Sequence, residues 1–274
     1  KNKTILKQLR MKKYLVIGNP IDHSLSPKLQ NWWLKENNIN AKYDKIKLED
    51  HEIKNFIQDI KKQKIAGCNV TVPFKKTVIP FLDKLSPEAE QTQSVNTITF
   101  DNGDLVGHNT DIAGFDTAIK KLNFNVEGKK VLILGAGGVV PSIIFALKNM
   151  NVQELIISNR TREKAENLKV LFDNLKILDW GDFTDFHMII NATSLGLNNE
   201  TIDLDFSSLG QDKLFYDVIY NPHETHFLKM GKQLGHKIEN GKTMFIYQAL
   251  EAFKLWHNIV PKVNTDTFKL LDND

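Results

Sequence analysis

The chain has 274 residues, 41% of them hydrophobic and 25% charged, which is ordinary for globular domains and excludes a disordered or fibrous protein. Thirty-six basic and thirty-three acidic residues leave a formal net charge of +3. Because the lysines are scattered along the chain, neither a nucleic acid nor a membrane is expected as a partner. No apolar run approaches the roughly 18 residues of a membrane-spanning helix, and the length predicts about two domains.

The single cysteine and the first residues indicate where the protein works. Cys68 cannot form an internal disulfide, which is typical of a reducing compartment, so a soluble, cytoplasmic protein is expected. Residues 1–10 are basic, but no apolar stretch or cleavage site follows them, so they do not form a signal peptide. We interpret Met11 as the functional start and residues 1–10 as an extension.

The first part of the chain is predicted to alternate strands with helices. Hydrophobic periodicity predicts strands at Tyr14–Gly18, Lys42–Leu48 and Cys68–Val72, and helices at Lys28–Asn37 and His51–Gln63. Such alternation implies crossover connections and a mostly parallel sheet. Val95–Phe100 and Leu105–His108 flank the turn Asp101-Asn102-Gly103-Asp104 and are predicted to form a hairpin at the sheet edge.

A second α/β series follows a helix predicted at Asp111–Leu122, where we place the domain boundary. Strands are predicted at Lys130–Leu134, Glu154–Ser158, Leu175–Leu178, Met188–Asn191 and Leu214–Ile219, and a helix ends at Met150. The first and last of these strands are almost entirely apolar, as in a sheet covered on both faces. The segments Lys242–His257 and Thr265–Leu271 are predicted helices that return to the first lobe. The predicted fold is α/β, with two lobes and a cleft between them.

A glycine-rich turn in the second lobe is a candidate phosphate site. Gly135-Ala136-Gly137-Gly138 follows a buried strand and precedes a helix, so backbone N–H groups could face an anion there. The pattern departs from G-x-G-x-x-G because Val140 stands at the last position. By itself, the turn fits a simple tight turn as well as a nucleotide site.

The end of the next strand favours NADP. An NAD enzyme would place an acid there for the ribose hydroxyls, whereas this chain reads Asn159-Arg160-Thr161-Arg162. Guanidinium groups and hydroxyl donors suit a 2′-phosphate. Arg160 and Arg162 are, with Arg10, the only arginines in a chain that otherwise uses lysine. The alternative interpretation is a solvated helix N-terminus.

Polar residues at strand ends of the first lobe form the candidate substrate site. Ser24 and Ser26 precede a helix and could surround an anion, although Ser26 could instead only cap that helix. Lys75 follows a strand, and a lone lysine there is usually solvated. Asn96 and Asp111 stand in two further loops, and a lysine beside a carboxylate can transfer a proton to or from an alcohol.

Taken together, these motifs resemble the shikimate dehydrogenase family, NADP-dependent reductases of 3-dehydroshikimate in aromatic amino-acid biosynthesis. The resemblance extends from about Met11 to Trp256, in the order of the family. The motifs are Pro20-Ile21-x-His23-Ser24-x-Ser26-Pro27, Asn69-Val70-Thr71-x-Pro73-x-Lys75, Val95-Asn96-Thr97, Asn109-Thr110-Asp111, Gly135-Ala136-Gly137-Gly138, Asn159-Arg160-Thr161, Asn191-Ala192-Thr193-Ser194-x-Gly196, Tyr216-Asp217-x-x-Tyr220 and Asn240-Gly241-x-x-Met244 with Gln248.

The resemblance implies a role for each part of the chain. Residues 11–111, completed by helices in 242–274, would form the substrate-binding and catalytic domain, and residues 112–241 a Rossmann-like NADP-binding domain. Lys75 would exchange a proton with the C3 oxygen, and Asp111 would orient it. The implied substrate-binding residues are Ser24, Ser26, Thr71, Asn96, Tyr220 and Gln248. The implied cofactor-binding residues are Gly135, Ala136, Gly137, Gly138, Asn159, Arg160, Thr161, Thr193 and Gly241.

Three positions depart from the family pattern, and two alternatives stay open. Gln30 replaces a common histidine, Val139-Val140-Pro141 replaces small and basic residues, and Leu197 replaces a methionine beside the nicotinamide. The nearest alternative is a quinate/shikimate dehydrogenase that also uses NAD, against which Arg162 argues because such members tend to carry an acid there. The other is a non-catalytic metabolite sensor, which the retained Lys75 and Asp111 disfavour.

The expected partners are small molecules. The eight histidines show no His-Glu-x-x-His or comparable spacing, so no metal is predicted. We expect NADP as the cofactor, shikimate or 3-dehydroshikimate as the substrate, and a monomer or homodimer.

Overall fold

The computed structural model describes residues 11–272, so the predicted extension at residues 1–10 lies outside the described residues. Its described part divides into two units, residues 11–110 with 249–272 and Asp111–Gln248. Residues 242–248 therefore belong to the second unit, together with Asp111. Between residues 11 and 272, no helix combines the length and apolarity that crossing a membrane requires.

The first unit is built on a six-stranded mixed sheet. Its strands are β1 (Lys12–Gly18), β2 (Ala41–Lys47), β3 (Gly67–Val70), β4 (Lys84–Leu85), β5 (Thr97–Asp101) and β6 (Asp104–His108). Its helices before residue 110 are α1 (Ser26–Glu36), α2 (Ile53–Lys61) and α3 (Pro87–Thr92), with short 3-10 turns at Asp50–Glu52 and Ile79–Phe81. The strand order is β2-β1-β3-β5-β6-β4.

The sheet confirms the predicted hairpin but not its place. β2, β1 and β3 run parallel, and β5 and β6 form the antiparallel hairpin. Asn102 and Gly103 both have positive φ, 49° and 94°, which the favoured two-residue hairpin turns require. The prediction that this hairpin forms the sheet edge is wrong, because the two-residue strand β4 pairs with the outer side of β6.

Part of the C-terminal segment contacts helix α1 of the first unit. Trp33, which is buried on α1, donates its indole N–H to the carbonyl oxygen of Lys262 at 3.1 Å. Gln30, also buried, donates from Nε2 to the carbonyl oxygen of Ala249 at 3.1 Å. The glutamine that replaces a common histidine of the family therefore holds the C-terminal segment to α1.

The second unit is built on a fully parallel six-stranded sheet. Its strands are β7 (Lys130–Leu134), β8 (Glu154–Ser158), β9 (Leu175–Leu178), β10 (Met188–Asn191), β11 (Leu214–Asp217) and β12 (Lys237–Glu239). Its helices are α4 (Asp111–Lys121), α5 (Val140–Asn149), α6 (Arg162–Glu166) and α7 (His226–Gln233), with a 3-10 turn at Asn167–Val170. Helix α8 (Lys242–His257) begins in this unit, and α9 (Thr265–Leu270) belongs to the first.

The apolar strand β7 is covered on both faces, as predicted. Val131 and Ile133 belong to the core cluster that includes Phe115 of α4 and Ile143 of α5. Leu132 and Leu134 belong to the cluster on the opposite face. Because successive side chains of a strand point to opposite faces, each face is filled by every second residue.

Several short elements were not predicted, and their sequences explain why. Helix α7 contains Gly231, a poor helix former, which is there because an added Cβ would lie 2.6 Å from the Phe215 ring. Strand β12 has Ile238 alone between two charged residues, which is typical of a guarded edge strand. Helices α3 and α6 have six and five residues, too few for an apolar period to show.

Candidate active site

The predicted substrate residues of the first unit lie at one edge of its sheet. Ser24 and Ser26 follow β1, while Thr71 and Lys75 follow β3, so all four come after the carboxyl ends of parallel neighbours. Strand β5 runs antiparallel to β3, so its first residues lie at the carboxyl end of β3. Asn96, which directly precedes β5, is therefore at the same edge.

Close backbone contacts hold the loops after β1 and β3 together. Thr71 donates its N–H to the carbonyl oxygen of Ile17 at 2.9 Å, and Asn19 donates to the carbonyl oxygen of Val72 at 2.9 Å. Gly18 makes this approach possible, because an added Cβ would lie 2.5 Å from Cγ2 of Thr71. Position 18 therefore requires glycine for the two loops to meet.

The structure decides how Ser26 is used. Helix α1 begins at Ser26, its N-cap is Leu25, and no side chain caps it. Ser24 Oγ instead accepts the N–H of Ser26 at 3.3 Å. The interpretation of Ser26 as a mere helix cap is therefore wrong, and the two hydroxyls stand beside the N-terminus of an 11-residue helix.

Lys75 and Asn96 are buried neighbours, 7% and 3% exposed. The carbonyl oxygen of Lys75 accepts the N–H of Val95 at 2.9 Å, which ties the lysine segment to the start of β5. Asn96 accepts the N–H of Thr110 on Oδ1 at 2.8 Å and donates from Nδ2 to Thr110 Oγ1 at 2.9 Å. Thr110 directly precedes Asp111, which is itself buried at the start of α4.

In the second unit, the predicted cofactor residues follow strands whose carboxyl ends share one edge. The glycine turn follows β7, Asn159, Arg160 and Thr161 follow β8, Thr193 follows β10, and Gly241 follows β12. The strand order is β9-β8-β7-β10-β11-β12, so the chain changes direction between β7 and β10. Ligands of open parallel sheets bind at such a switch point, which here lies between the glycine turn and Thr193.

The glycine turn needs glycine at position 135 and is open at position 137. Gly135 has a φ of 110°, and an added Cβ would lie 2.8 Å from the carbonyl oxygen of Ala192. Gly137 faces open space, since an added Cβ meets nothing within 4 Å. Val140 is fully buried in the core, and Pro141 lies in the first turn of α5, where its missing N–H costs nothing. The departure at Val139-Val140-Pro141 therefore leaves the turn intact.

The two arginines after β8 differ in their partners. Arg162 donates to Asp179 Oδ1 at 2.7 Å and to Glu166 Oε1 at 3.1 Å, so its charge is already paired. Arg160 is exposed and forms no ion pair with any residue in the described range 11–272. On the sequence alone, both guanidinium groups are candidates for binding a 2′-phosphate. In the described residues only Arg162 is paired with carboxylates, so Arg160 is the stronger candidate.

A buried polar network, which was not predicted from the sequence, holds the loop that carries Thr193. Asn191 Oδ1 accepts from the N–H and the hydroxyl of Thr193, at 3.1 and 2.7 Å. Asp217 accepts from Asn191 Nδ2 at 3.1 Å, from the Thr225 hydroxyl at 2.6 Å and from the Ile219 N–H at 3.0 Å. Burial raises the pKa of Asp217 to about 6 despite these three donors. Asn191 and Asp217 are each the polar last residue of an otherwise apolar strand, which is the feature of the sequence that could have indicated this network.

The remaining predicted site residues, Tyr220, Gln248 and Gly241, lie in the second unit. The Tyr220 ring stacks on the Phe245 ring with centroids 4.3 Å apart, and Gln248 Nε2 donates to the carbonyl oxygen of Phe245 at 2.8 Å. At Gly241, an added Cβ would lie 1.9 Å from the carbonyl oxygen of Val218, so no larger residue fits. For the chain between residues 11 and 272, no group of three or more metal-ligating side chains is found.

Two family models match the chain. The model described as the shikimate dehydrogenase substrate binding domain matches residues 16–98, and that described as shikimate / quinate 5-dehydrogenase matches residues 116–195. A shikimate dehydrogenase (NADP(+)) from Pelagibacter ubique is 55% identical over 262 residues, covering 95% of this chain and 99% of the relative. One from Caldicellulosiruptor saccharolyticus is 40% identical over 261 residues, covering 91% of this chain and 94% of that protein.

Two solved structures match the fold of this chain over 96–97% of its length. Shikimate dehydrogenase from Aquifex aeolicus is 34% identical, with a TM-score of 0.89 over 97% of this chain and 99% of that one. The Thermus thermophilus enzyme, solved in complex with NADP(H) and shikimate, is 28% identical, with a TM-score of 0.87 over 96% of this chain and 99% of that one.

Proposed function

The chain belongs to the shikimate dehydrogenase family, and we propose that it catalyses the reversible, NADPH-dependent reduction of 3-dehydroshikimate to shikimate with Lys75 and Asp111 as its acid–base pair. It is an oxidoreductase whose partners are small molecules, shikimate and NADP. We further propose that it works in the cytoplasm as a monomer or homodimer, in the pathway to chorismate and the aromatic amino acids.

The observation that carries the proposal is the burial of Lys75. A lysine is rarely as little as 7% exposed without a specific use, because leaving water is costly for a charge. Lys75 shares its sheet edge with Ser24, Thr71 and Asn96, which supply the hydroxyl and amide groups that a polyhydroxylated carboxylate substrate needs. A buried lysine in such surroundings can act as a general acid or base.

Each residue has a defined task in the proposed reaction. Ser24 and Ser26, with Thr71 and the hydroxyl of Tyr220, hold the substrate carboxylate, and Asn96 and Gln248 bind ring hydroxyls. Bound NADPH supplies the hydride for the carbonyl carbon. Lys75 donates a proton to the C3 oxygen in reduction and accepts it in the reverse direction, while Asp111 orients the lysine.

The second unit provides for the cofactor. Backbone groups of the turn Gly135-Ala136-Gly137-Gly138 would hold the pyrophosphate, supported by the open space at Gly137. Asn159, Arg160 and Thr161 would surround the 2′-phosphate, and the unpaired charge of Arg160 supports NADP over NAD. Thr193 and Gly241 would lie near the nicotinamide half.

The test is the absorbance rise from NADP⁺ reduction with shikimate, run beside wells that contain quinate or NAD⁺. Turnover with shikimate and NADP⁺ alone is the expected result. Comparable rates with quinate or NAD⁺ would assign the protein to the dual-substrate branch. No turnover in any well, together with thermal stabilisation by shikimate, would contradict the enzyme proposal and favour the metabolite sensor.

A further inference from the structure

A line of buried polar side chains crosses the first sheet toward Asn96. It begins at Tyr43 on β2, whose hydroxyl donates to Asn69 Oδ1 on β3 at 2.7 Å. Asn69 Nδ2 donates in turn to Thr97 Oγ1 at 2.9 Å and to the carbonyl oxygen of Asn96 at 3.1 Å. Tyr43, Asn69, Thr97 and Asn96 are each no more than 7% exposed.

The direction of these hydrogen bonds is set by the main chain. The carbonyl oxygen of Asn96 can only accept, so it turns Nδ2 of Asn69 toward β5 and leaves Oδ1 as the acceptor of the Tyr43 phenol. Thr97 Oγ1 accepts from Asn69 and donates its single proton to Asn96 Oδ1 at 3.1 Å. The donor order is thus Tyr43 to Asn69 to Thr97 to Asn96.

Asn96 is held through both its main chain and its side chain. Asn69 donates to its carbonyl oxygen and Thr97 to its Oδ1, each at 3.1 Å. Oδ1 also accepts the N–H of Thr110, and Nδ2 donates to Thr110 Oγ1 at 2.9 Å. A buried network that is fully satisfied keeps one arrangement, whereas a partly satisfied one permits several. The position of Asn96 therefore depends on Asn69 and, through Oδ1 of Asn69, on the phenol of Tyr43 on β2.

We infer that Tyr43 and Asn69 are positioning residues for substrate binding, which act by holding Asn96 in place. The inference rests on the proposed function, in which Asn96 binds a ring hydroxyl of shikimate. Neither residue exchanges a proton with the substrate. Their loss is therefore expected to weaken substrate binding without changing the chemistry of the proton transfer.

The first variant is Tyr43→Phe, which removes the hydroxyl alone. Losing one network bond should raise the KM for shikimate about three- to tenfold. The KM for NADP⁺ should stay within about twofold and kcat within about threefold, because the second unit and Lys75 are untouched. The dissociation constant of shikimate, measured by calorimetry, should rise in parallel with its KM.

Tyr14→Phe is the matched control. Tyr14 pairs in register with Tyr43 on the neighbouring strand, and both residues are buried. Both rings also contact the Trp256 ring, with centroids 5.0 Å apart for Tyr14 and 6.1 Å apart for Tyr43. Its hydroxyl is not among the partners of Asn69. We expect the KM for shikimate to stay within about twofold in this variant.

A double-mutant cycle separates positioning from general loosening of the sheet. Asn69→Leu should raise the KM for shikimate at least as much as Tyr43→Phe, and the double variant should raise it no further, since the phenol then has no acceptor to orient. Thr97→Val interrupts the same line of hydrogen bonds with almost no change of shape and should also raise the KM for shikimate. It replaces Asn69→Leu in the test if that variant does not fold.

The outcomes distinguish the two proposals. A parent protein that does not turn over shikimate overturns the proposed function. An active parent with an unchanged KM in Tyr43→Phe overturns the positioning inference alone. Equal losses in Tyr14→Phe, an equal rise in the KM for NADP⁺, or additive effects of Tyr43→Phe and Asn69→Leu would also overturn it, because each would indicate loss of sheet stability.

Discussion

At the scale of single residues, the buried lysines carry the most information. Among residues 11–272, three lysines are less than 10% exposed: Lys75, Lys213 and Lys242. Lys213 pairs with Asp185 at 3.2 Å, at the amino end of β11, away from the strand ends that carry the predicted site. Lys75 lies at the edge of the first sheet that carries the predicted substrate residues, which is why our proposal gives it the acid–base role.

Lys75→Ala should lower kcat by about 10²- to 10⁴-fold, the usual contribution of a general acid–base group. The KM for shikimate should change much less, because Ser24, Thr71 and Asn96 still hold the substrate. Steady-state kinetics in both directions measure this split. Lys76→Ala is the control, since Lys76 is the exposed neighbour in the chain and should leave kcat unchanged. Activity within a few-fold of the parent in Lys75→Ala would refute the role of Lys75.

The two arginines after β8 allow a paired prediction. Arg160→Ala should raise the KM for NADPH about 10- to 100-fold and narrow the preference over NADH, since a charge-assisted phosphate contact is lost. Arg162→Ala should change that ratio less than about threefold, because Asp179 and Glu166 already neutralise Arg162. Initial rates with both cofactors give the ratio. Equal changes of the NADPH-to-NADH preference in the two variants would contradict the assignment of the 2′-phosphate to Arg160.

At the scale of elements, strands with a clear apolar pattern were predicted with their exact or nearly exact bounds. β7, β8, β9 and β10 begin and end where the sequence places them. The inner residues of β7, β8 and β10 are apolar on both faces, β9 alternates, and a polar residue or turn follows each strand. Elements with one or two apolar residues, such as β4 and β12, could not be predicted. Their pairing depends on neighbours distant in the chain, which local periodicity does not report.

The strand-end carboxylate Asp217 gives a prediction about pH. Its pKa is raised to about 6 from an ordinary value of 3.8, so folding favours the neutral form. Its contribution to the free energy of unfolding is fully present below about pH 4 and is lost as the pH rises through 6, by about 3 kcal/mol in total. Urea unfolding of the parent and Asp217→Asn across pH 4–7 should show this difference. A difference that does not vary with pH would contradict it.

Glu200 provides a control of opposite sign. Its carboxylate accepts the N–H groups of Asn198 and Gly196, at 2.9 and 3.2 Å, and these bonds lower its pKa to about 2. Its stabilisation is therefore present above about pH 4.5 and lost as the pH falls toward 2. The unfolding difference between the parent and Glu200→Gln should be constant from pH 5 to 7, where that of Asp217→Asn changes.

At the scale of the whole molecule, the sequence predicted the order of two α/β series. It predicted which residues stand at strand ends, because strand ends are local features. It did not predict which of them are already engaged, such as Arg162, or which further partners orient them, such as Asn69 and Asp217. These hydrogen bonds join residues that are 17 to 28 positions apart in the chain, and they depend on the order of the strands.

The contact between Gly67 and Trp256 tests whether the C-terminal segment is integral to the first unit. An added Cβ at Gly67 would lie 2.4 Å from Nε1 of Trp256, which donates to the carbonyl oxygen of Ile98 at 3.1 Å. Gly67→Ala must displace the Trp256 ring from the sheet and should lower the free energy of unfolding by about 1–3 kcal/mol, measured in urea. In a Trp256→Ala background, the same substitution should cost almost nothing, since the clashing ring is gone. An equal cost in both backgrounds would mean that α8 does not limit the space at Gly67.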